Sequence, residues 1–255
     1  MAKGMILRRG GAPSGFPEFT YTGTYTLLDD GDGNWRIKFL TSGTLTFAKL
    51  GKGNGTIDVF CVGGGQSGMG GVGGRSSVTD GGNGGFTSTA NSIVLQTGTP
   101  MEIVIGGGGI SPASNSKSAG GTTTFASNIC VAYGGSAGGG GSGYGHGTGA
   151  AGSDGSNGGG IGQGTTTREF GEASGTLYSG GGAGCSTGWS VTRGTAGDGG
   201  GGQATTNGKF TDVMNGTTNT GGGGGANCNT AGSSDSRKGG NGGSGIVVIR
   251  NHRAA

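Results

Sequence analysis

Glycine recurs at short intervals from Gly63 to Gly245, and it accounts for 73 of the 255 residues of the chain. Average proteins contain about 7% glycine, so most of this stretch has few side chains with which to build a hydrophobic core. Collagen requires glycine strictly at every third position together with abundant proline. Here the glycine spacing drifts and the chain has 4 prolines, so a collagen triple helix is excluded.

Two apolar runs bound the glycine-rich stretch. Residues 57–62 read Ile-Asp-Val-Phe-Cys-Val and lead directly into Gly63, while residues 246–250 read Ile-Val-Val-Ile-Arg and follow Gly245. Short runs of β-branched and large apolar residues are typical of buried strands. We therefore expect two core strands of one β-structure, with the glycine-rich segments projecting from it as loops.

The glycine-rich stretch is either a flexible linker or a bundle of packed polyglycine II helices. Strand-like runs interrupt it at residues 92–95, 101–105 and 129–133, and flexible linkers lack such runs. A polyglycine II helix has three residues per turn and no internal hydrogen bonds, so its backbone groups must bond to neighbouring helices. From Gly134 to Gly164 every third residue is glycine apart from Ala137, His146 and Ile161, which favours the bundle.

Residues 1–17 read as an irregular N-terminal arm because glycine and proline interrupt them. After the arm, apolar and polar residues alternate in residues 19–28, 35–40 and 44–47, a pattern typical of strands. Short strands joined by tight turns predict an antiparallel β-sandwich or jelly roll. We expect a single domain over residues 18–255, with sandwich strands in residues 18–133 and 245–250 and the glycine bundle mainly in residues 63–85 and 134–244.

Charge and cysteine usage exclude several classes of protein. The net charge of +3 is too small to indicate nucleic-acid binding, and no apolar run approaches the ~20 residues of a membrane span. Met5-Ile6-Leu7 is too short for a signal-peptide core, so export by that route is not expected. The cysteines are widely spaced and lack a Cys-x-x-Cys motif, so reduced thiols are expected and no metal site is predicted. They are Cys61, Cys130, Cys185 and Cys228.

Motifs with catalytic or metal-binding character are present but incomplete. Residues 30–34 resemble the start of a calcium loop, yet Trp35 stands where the loop needs glycine, so a hairpin turn explains them better. Gly-x-Ser-x-Gly occurs at residues 134–138 and 184–188, but no helical pattern follows either match. The sequence therefore predicts a protein that is not an enzyme and needs no cofactor.

Large side chains set among the glycines are the remaining candidates for function. They either fill gaps at helix ends or present binding groups, because connecting segments on a rigid scaffold commonly carry recognition residues. Two segments, residues 143–149 and 184–193, combine bulky and charged residues of types that dominate binding hot spots. The predicted receptor-binding residues are Tyr144, His146, Trp189 and Arg193. Residues 168–172 are the next candidate.

Several stretches resemble glycine-rich tail proteins of phages and prophages of gut Firmicutes. These are residues 21–47, residues 57–65, the Gly-Gln-Gly-Thr-Thr-Thr-Arg-Glu-Phe-Gly-Glu run at 162–172, and the ending at 243–250. The layout is also similar to two other families with polyglycine II helices. One is the distal tail-fibre adhesins of T-even-type phages, and the other is the glycine-rich domain of the anaplastic lymphoma kinase receptor, where such helices enter a TNF-like sandwich.

The resemblance implies a phage tail-tip or tail-fibre protein that binds a bacterial surface receptor, either a glycan or an outer-surface protein. The implied location is the virion tail, assembled in the cytoplasm of the host bacterium alongside other tail proteins. A homotrimer and a monomer that caps a fibre are both compatible with this interpretation. The alternatives are a purely structural tail or decoration protein and, less favoured, an ice-binding protein, whose flat face of small residues conflicts with the irregular aromatic residues here.

Overall fold

The computed structural model describes residues 15–53, 55–71, 78–112, 116–136, 167–187, 191–206, 214–228 and 237–253. The first ten strands are β1 (Glu18–Tyr21), β2 (Tyr25–Gly31), β3 (Asn34–Phe39), β4 (Gly43–Lys49), β5 (Thr56–Val62), β6 (Val78–Thr79), β7 (Thr87–Val94), β8 (Met101–Val104), β9 (Thr123–Phe125) and β10 (Cys130–Ala132). The later strands are β11 (Cys185–Thr187), β12 (Val191–Arg193), β13 (Thr205–Thr206), β14 (Asn227–Cys228) and β15 (Ile246–Asn251).

Two five-stranded antiparallel sheets face each other and form the sandwich. Sheet A has the order β1-β4-β8-β9-β10, and sheet B has the order β2-β3-β15-β5-β7. Alternate residues point inward because successive side chains of a strand lie on opposite faces. Trp35, Ile37 and Phe39 of β3 are fully buried and pack with residues of sheet A such as Phe47 and Ile103. The predicted all-β sandwich is confirmed.

The two strands that bound the glycine-rich stretch lie side by side in sheet B. β15 pairs antiparallel with β5, with Ile246 opposite Val62 and Asn251 opposite Ile57. β3 flanks β15 on its other side. The glycine-rich segments therefore leave and re-enter the sandwich at the same end, as the sequence predicted.

One predicted strand, residues 19–28, is wrong in its extent. The strand is interrupted at residues 22–24, and the two resulting strands, β1 and β2, belong to different sheets. Gly23 lies so close to the Ser42–Gly43 backbone that a methyl group there would be 2.7 Å from the Ser42 carbonyl oxygen. This close approach lets the chain cross from one sheet to the other in a short, partly exposed connection beside residues 42–43.

The first described residues of the chain pack against the sandwich. β1 begins at Glu18, but Phe16 is already buried in the sandwich core, and the Lys52 N–H donates to the Gly15 carbonyl at 2.7 Å. The arm therefore joins the sandwich slightly earlier than expected. Residues 1–14 lie outside the described residues.

The glycine-rich segments form a bundle in which every third residue bonds to the same neighbour. In residues 63–71 the N–H groups of Gly63, Gln66 and Met69 donate to a returning segment, residues 80–86, at 2.8–3.0 Å. The other two rows follow the same rule: Gly64 and Ser67 donate to residues 118–121, and Gly65 and Gly68 donate to residues 237–243. A period of three is that of a polyglycine II helix.

Residues 63–71 form the first central helix, which six neighbouring segments surround. Three neighbours accept its N–H groups as just described. The other three donate to its carbonyls: Gly135 to Gly64, Gly109 to Gly65, and Gly224 to Gln66. Most of the backbone groups of this helix thus find partners in neighbouring segments, which compensates for the near absence of side chains.

A second central helix, residues 221–226, repeats the arrangement beside the first. Its N–H donors and their acceptors are Gly223 to Gly180, Gly224 to Gln66, and Gly225 to Met214. Its carbonyls accept from Gly82, Gly202 and Gly243. The two central helices share neighbours, so the bundle is two fused hexagons in cross-section.

Glycine is required in the central helices for close approach rather than for unusual backbone angles. Positive φ angles occur at Gly200 and Gly221 in the turns, but not at Gly65, Gly68 or Gly223. A methyl group at Gly65 or Gly68 would lie 2.0–2.1 Å from a carbonyl oxygen of the second central helix. Any side chain there would force the helices apart and break their hydrogen bonds.

The bundle extends further than the sequence predicted. Residues 106–112 and 116–121 were not assigned to it, yet they form two of the helices around residues 63–71. α-Helix is absent from the described ranges, and a 3-10 turn lies at Glu169–Gly171. No helix in these ranges is long and apolar enough to cross a membrane.

The Gly223→Val variant tests whether close packing holds the bundle together. A Cβ atom at Gly223 would lie 2.0 Å from the Gly82 carbonyl oxygen, so we expect a loss of about 3 kcal/mol or more in unfolding free energy. The matched control is Gly107→Val, because a Cβ at Gly107 has nothing within 4 Å. Denaturant unfolding measures both. Equal stability of the two variants would show that the bundle tolerates side chains.

Candidate functional site: the distal end of the glycine bundle

The end of the bundle farthest from the sandwich, here called the distal end, is where the long helices turn back. The first central helix leaves β5 and reaches Gly71, and the return segment runs from Thr79 to β7. The Gly71 N–H donates to the Asn227 carbonyl, and the Arg237 N–H donates to the Gly71 carbonyl. These contacts place the far ends of three helices side by side.

Two small sheets replace polyglycine helices at the distal end. β6, β11 and β12 form one, in the order β12-β11-β6, and β13 pairs parallel with β14 in the other. β11 reads Cys-Ser-Thr and β12 reads Val-Thr-Arg, residues that favour strands, so glycine packing gives way to ladders here. Four connecting segments, residues 72–77, 188–190, 207–213 and 229–236, start and end in this region.

A disulfide bond joins the strands that precede residues 188–190 and 229–236. It corrects the prediction of reduced thiols for two of the cysteines. Cys185 of β11 bonds to Cys228 of β14, with Cα atoms 6.0 Å apart and 43 residues of sequence separation. Both cysteines are buried, and the Thr79 hydroxyl lies 2.7 Å from Cys228 Sγ and 3.2 Å from Cys185 Sγ. The bundle brings together two strands, β11 and β14, that are distant in sequence. The spacing of the cysteines in the sequence does not reveal this contact.

The prediction of free thiols is confirmed for Cys61 and Cys130. Both are buried in the sandwich core, where Cys61 Sγ lies 3.7 Å from the Cys130 carbonyl oxygen. Burial raises the pKa of the Cys61 thiol well above its usual value, so this thiol stays protonated and packs as a small apolar group.

The structure places one of the predicted receptor-binding residues at the distal end. Arg193 is exposed and lies opposite Cys185 in the β11–β12 pair. Trp189 lies outside the described residues, but the segment that contains it starts at Thr187 and ends at Val191, both in the distal sheet. Arg193 therefore lies in the strand that follows the segment containing Trp189.

Tyr144 and His146 also lie outside the described residues, within residues 137–166. That segment starts after Ser136, whose carbonyl accepts a hydrogen bond from Asn83 at 2.8 Å, and ends before Thr167. Asn83 lies only one helical turn from the sandwich, beside Gln66. The segment with Tyr144 thus starts close to the sandwich, whereas the segment with Trp189 starts at the distal end.

The fallback candidate, residues 168–172, packs against the molecule itself. Together with the rest of residues 167–178 it covers the outer face of sheet B, where Phe170 and Tyr178 pack with Phe60. The hairpin or bundle cap predicted here is a hairpin, since Arg168 bridges Leu177. It lies on the sandwich rather than capping the bundle.

Glu169 fixes this segment through an ion cluster that the sequence analysis missed, in which the glutamate is fully buried and its cationic partners are partly exposed. Its carboxylate accepts hydrogen bonds from Lys38 at 2.8 Å, from the Tyr178 hydroxyl at 2.8 Å, and from Arg36. Burial acts to raise the pKa of Glu169, but the bonds and charges of Lys38 and Arg36 outweigh it, so the pKa is lowered. Every charge here is internally compensated.

Residues 167–178, held against sheet B in this way, are here called the latch. Phe170 also holds the latch in place, and its backbone conformation is rare for a large residue. Its φ is 54°, and its ring lies 4.1 Å from the Arg250 guanidinium and 5.6 Å from that of Arg36. Arg250 also pairs with Asp58, the one acidic residue of β5. The Arg-Glu-Phe-Gly-Glu motif therefore holds a segment onto the sandwich and is not free to bind a receptor.

The family of this chain is shown by a sequence match that covers most of the scaffold. The family model of a glycine-rich domain matches residues 41–252, which span the sandwich strands from β4 onward and the entire bundle. The chain belongs to the glycine-rich domain family. No curated protein has a sequence that matches this chain.

Removing the disulfide should loosen the distal end. Closing a loop of 43 residues stabilises a fold by about 4 kcal/mol in the chain-entropy account. We expect the combined Cys185→Ser and Cys228→Ser variant to lose up to this amount in denaturant unfolding. Cys61→Ala with Cys130→Ala serves as the control, because it removes the two buried free thiols without adding a polar group and leaves the disulfide intact. Detection of four free thiols in the unreduced, denatured wild type would contradict the bond.

The latch predicts a specific acid sensitivity. Because the pKa of Glu169 is lower in the folded chain than its usual value of 4.5, its stabilisation is complete above pH 4.5 and is lost as the pH falls below it. We expect Glu169→Gln to cost about 3–5 kcal/mol at neutral pH and to flatten the stability profile between about pH 5 and pH 3.

The matched control for the latch is Glu18→Gln, which removes an exposed ion pair with Lys49. Such surface pairs contribute about 0–1 kcal/mol. Urea unfolding over a pH series compares the two variants. A Glu169→Gln variant as stable as Glu18→Gln would show that the buried charge is not needed.

Proposed function

We propose that this chain is a phage tail-tip or tail-fibre protein that binds the surface of a host bacterium through the distal end of its bundle. The observation that carries the proposal is the convergence of four connecting segments on one rigid end, fixed beneath by the Cys185–Cys228 bond. Backbone hydrogen bonds between the helices order the scaffold from which those segments start. Presenting binding groups from such a base reduces the entropy lost on binding.

Trp189 and Arg193 are the proposed anchor residues, since Arg193 lies in the strand that follows the segment containing Trp189. Tryptophan and arginine are the residue types most enriched at binding hot spots. Tyr144 and His146 are proposed as a second contact because they share the bulky and polar character of the first. We propose a binding role without catalysis, a cofactor or a metal ion, which rests on the incomplete motifs of the sequence.

The stretches that resemble glycine-rich phage tail proteins lie more in the scaffold than in the proposed receptor site. The Gly-Gln-Gly-Thr-Thr-Thr-Arg-Glu-Phe-Gly-Glu stretch that carries much of it includes Glu169 and Phe170, which act as an internal latch. Receptor choice would then depend on the four distal segments. In the alternative proposal, the chain is a purely structural tail or decoration component with no receptor of its own.

Adsorption of the purified protein to host cells separates the two proposals. We expect the Trp189→Ala and Arg193→Ala variants each to weaken adsorption by about tenfold, as loss of a hot-spot residue does. We expect the Tyr144→Ala and Trp189→Ala double variant to abolish adsorption while its thermal unfolding stays unchanged. Candidate hosts are gut Firmicutes strains, given the resemblance.

The control variant is Lys52→Ala, which changes an exposed lysine at the opposite end of the molecule, where its ammonium contacts the Asp32 carbonyl at 2.8 Å. It should adsorb like the unmodified protein. Normal adsorption by a folded Tyr144→Ala and Trp189→Ala variant would place the site elsewhere. Adsorption by no form of the protein to any strain would favour the structural alternative.

A further inference from the structure

The end of the sandwich opposite the bundle carries an apolar groove, here called the base groove. β5 leads into the bundle at Val62, whereas its first residue, Thr56, pairs with Val94 beside the groove. The groove has a volume of about 440 Å³, and residues from the β7–β8 connection and from the turn between β9 and β10 line it. Its apolar lining consists of Val94, Leu95, Pro100, Met101, Ala126 and Ile129.

The base groove combines buried and exposed apolar side chains. Leu95 and Met101 are buried, whereas Val94 and Ile129 are 76% and 40% exposed. Among the described residues, these two are the exposed large apolar side chains at this end, since the others lie in the bundle or where β8 and β10 lead into it. Apolar pockets of about 300–1,000 Å³ are typical binding sites. The groove therefore offers apolar contact area that nothing in the described ranges covers.

The N-terminal arm joins the sandwich close to this groove. The Lys52 N–H donates to the Gly15 carbonyl at 2.7 Å, and three residues further on the Gly55 carbonyl accepts a hydrogen bond from the Leu95 N–H at 2.8 Å. An extended chain spans at most about 3.6 Å per residue, so Gly15 lies within about 22 Å of Leu95. Leu7 lies eight residues before Gly15, a span that reaches about 26 Å when extended. The arm is therefore long enough to bring Leu7 to the groove.

The arm has the composition that the base groove requires. Residues 5–7 read Met-Ile-Leu, Arg8 and Arg9 follow them directly, and residues 1–14 contain no acidic residue. Glu102 is the charged residue of the groove lining, and its side chain is exposed. Within the described ranges Glu102 has no ion-pair partner. An apolar run followed by two arginines thus matches an apolar groove that carries an unpaired carboxylate.

Other charged groups at this end do not offer the same combination. Lys49 pairs with Glu18 at 2.6 Å, and Lys52 contacts the Asp32 carbonyl at 2.8 Å. The acidic turn at residues 29–32 would also attract arginine, but within the described ranges it has no exposed large apolar side chain. Exposed apolar surface and an unpaired acid thus occur together at the base groove, and charge and hydrophobicity both select the arm as its occupant.

We propose that the N-terminal arm of the same chain folds back into the base groove, with residues 5–7 against its apolar lining and Arg8 or Arg9 beside Glu102. Burial of the three apolar side chains stabilises the contact, and the ion pair fixes the direction in which the arm enters. The contact is intramolecular because a linker whose length matches the span gives its end a high effective concentration at the groove. This inference does not rest on receptor binding at the distal end.

Limited proteolysis of the full chain with an arginine-specific protease tests the contact, because a docked arm is cleaved after Arg8 and Arg9 only when it leaves the groove. We expect Val94→Lys, which removes an apolar side chain and adds a cation, to speed this cleavage at least about tenfold, as loss of one buried valine does. The matched control is Ile110→Lys, which changes an exposed apolar residue of the bundle and should leave the rate unchanged.

The ion pair is tested in the same assay. We expect Glu102→Gln to speed cleavage by at most about fivefold, because a solvent-exposed pair contributes little, and added salt should reduce the difference. Glu18→Gln removes an acid that already pairs with Lys49, so this control should be cleaved at the unmodified rate. A synthetic peptide of residues 1–14 gives the rate for an arm that has no groove to occupy.

Cross-linking tests where the arm lies. In the Leu7→Cys and Val94→Cys double variant, the two thiols should each lose a hydrogen to the azo oxidant diamide, which becomes a hydrazine as an intramolecular disulfide forms. The control is Leu7→Cys with Lys52→Cys, which places the second thiol beside Gly15 but outside the groove lining, so that proximity to the start of the arm alone would favour it. We expect the variant with Val94→Cys to link faster. The buried free cysteines do not compete.

Equal cleavage rates for Val94→Lys and Ile110→Lys would overturn the proposal, as would cleavage of the unmodified chain at the rate of the free peptide. Faster linkage in the control with Lys52→Cys would overturn it as well. Linked dimers in place of an intramolecular link would show that the arm binds a second copy instead. Should thermal unfolding show that Val94→Lys does not fold, Ile129→Lys and the cross-linking comparison still decide the question.

Discussion

The hydrogen bond between neighbouring polyglycine helices is the interaction on which the rest of this structure depends. Each such bond is worth only about 1 kcal/mol net, but two central helices make them in every direction. The bonds require helix axes so close that a single methyl group at Gly65 or Gly223 would overlap a carbonyl oxygen. Cohesion in this half of the molecule therefore comes mainly from backbone hydrogen bonds between glycine-rich helices, with few side chains contributing.

Much of the scaffold could be predicted from the residues. Alternating apolar positions in residues 35–40 and 44–47 located β3 and β4, and the two apolar runs that bound the glycine-rich stretch proved to be the adjacent strands β5 and β15. The prediction of one continuous strand at residues 19–28 was wrong. A tertiary contact at Gly23 directs the chain from one sheet to the other. Helices at residues 106–112 and 116–121 escaped notice because their glycine runs are short.

The candidate site was less predictable than the scaffold, because it depends on which distant segments the bundle brings together. Nothing in the spacing of Cys185 and Cys228 indicates that they bond, since the contact arises only when two helices end at the same height. Arg193 could be nominated from residue type, and the structure places it in the distal sheet, opposite Cys185. Glu169 gave no signal as a buried residue, because glutamate is rarely buried without partners and its partners lie 131 and 133 residues away.

The scarcity of apolar side chains in the bundle has a thermal consequence. Hydrophobic burial gives unfolding its large positive heat-capacity change, which curves the stability profile and weakens folded proteins in the cold. A bundle that exposes mainly peptide groups on unfolding contributes little to that term, since polar exposure lowers the heat capacity. The sandwich, with Trp35, Phe39 and Phe47 in its core, should follow the ordinary curved profile. The two halves of one domain therefore respond differently to temperature, and the bundle keeps its cohesion where hydrophobic cores begin to lose theirs.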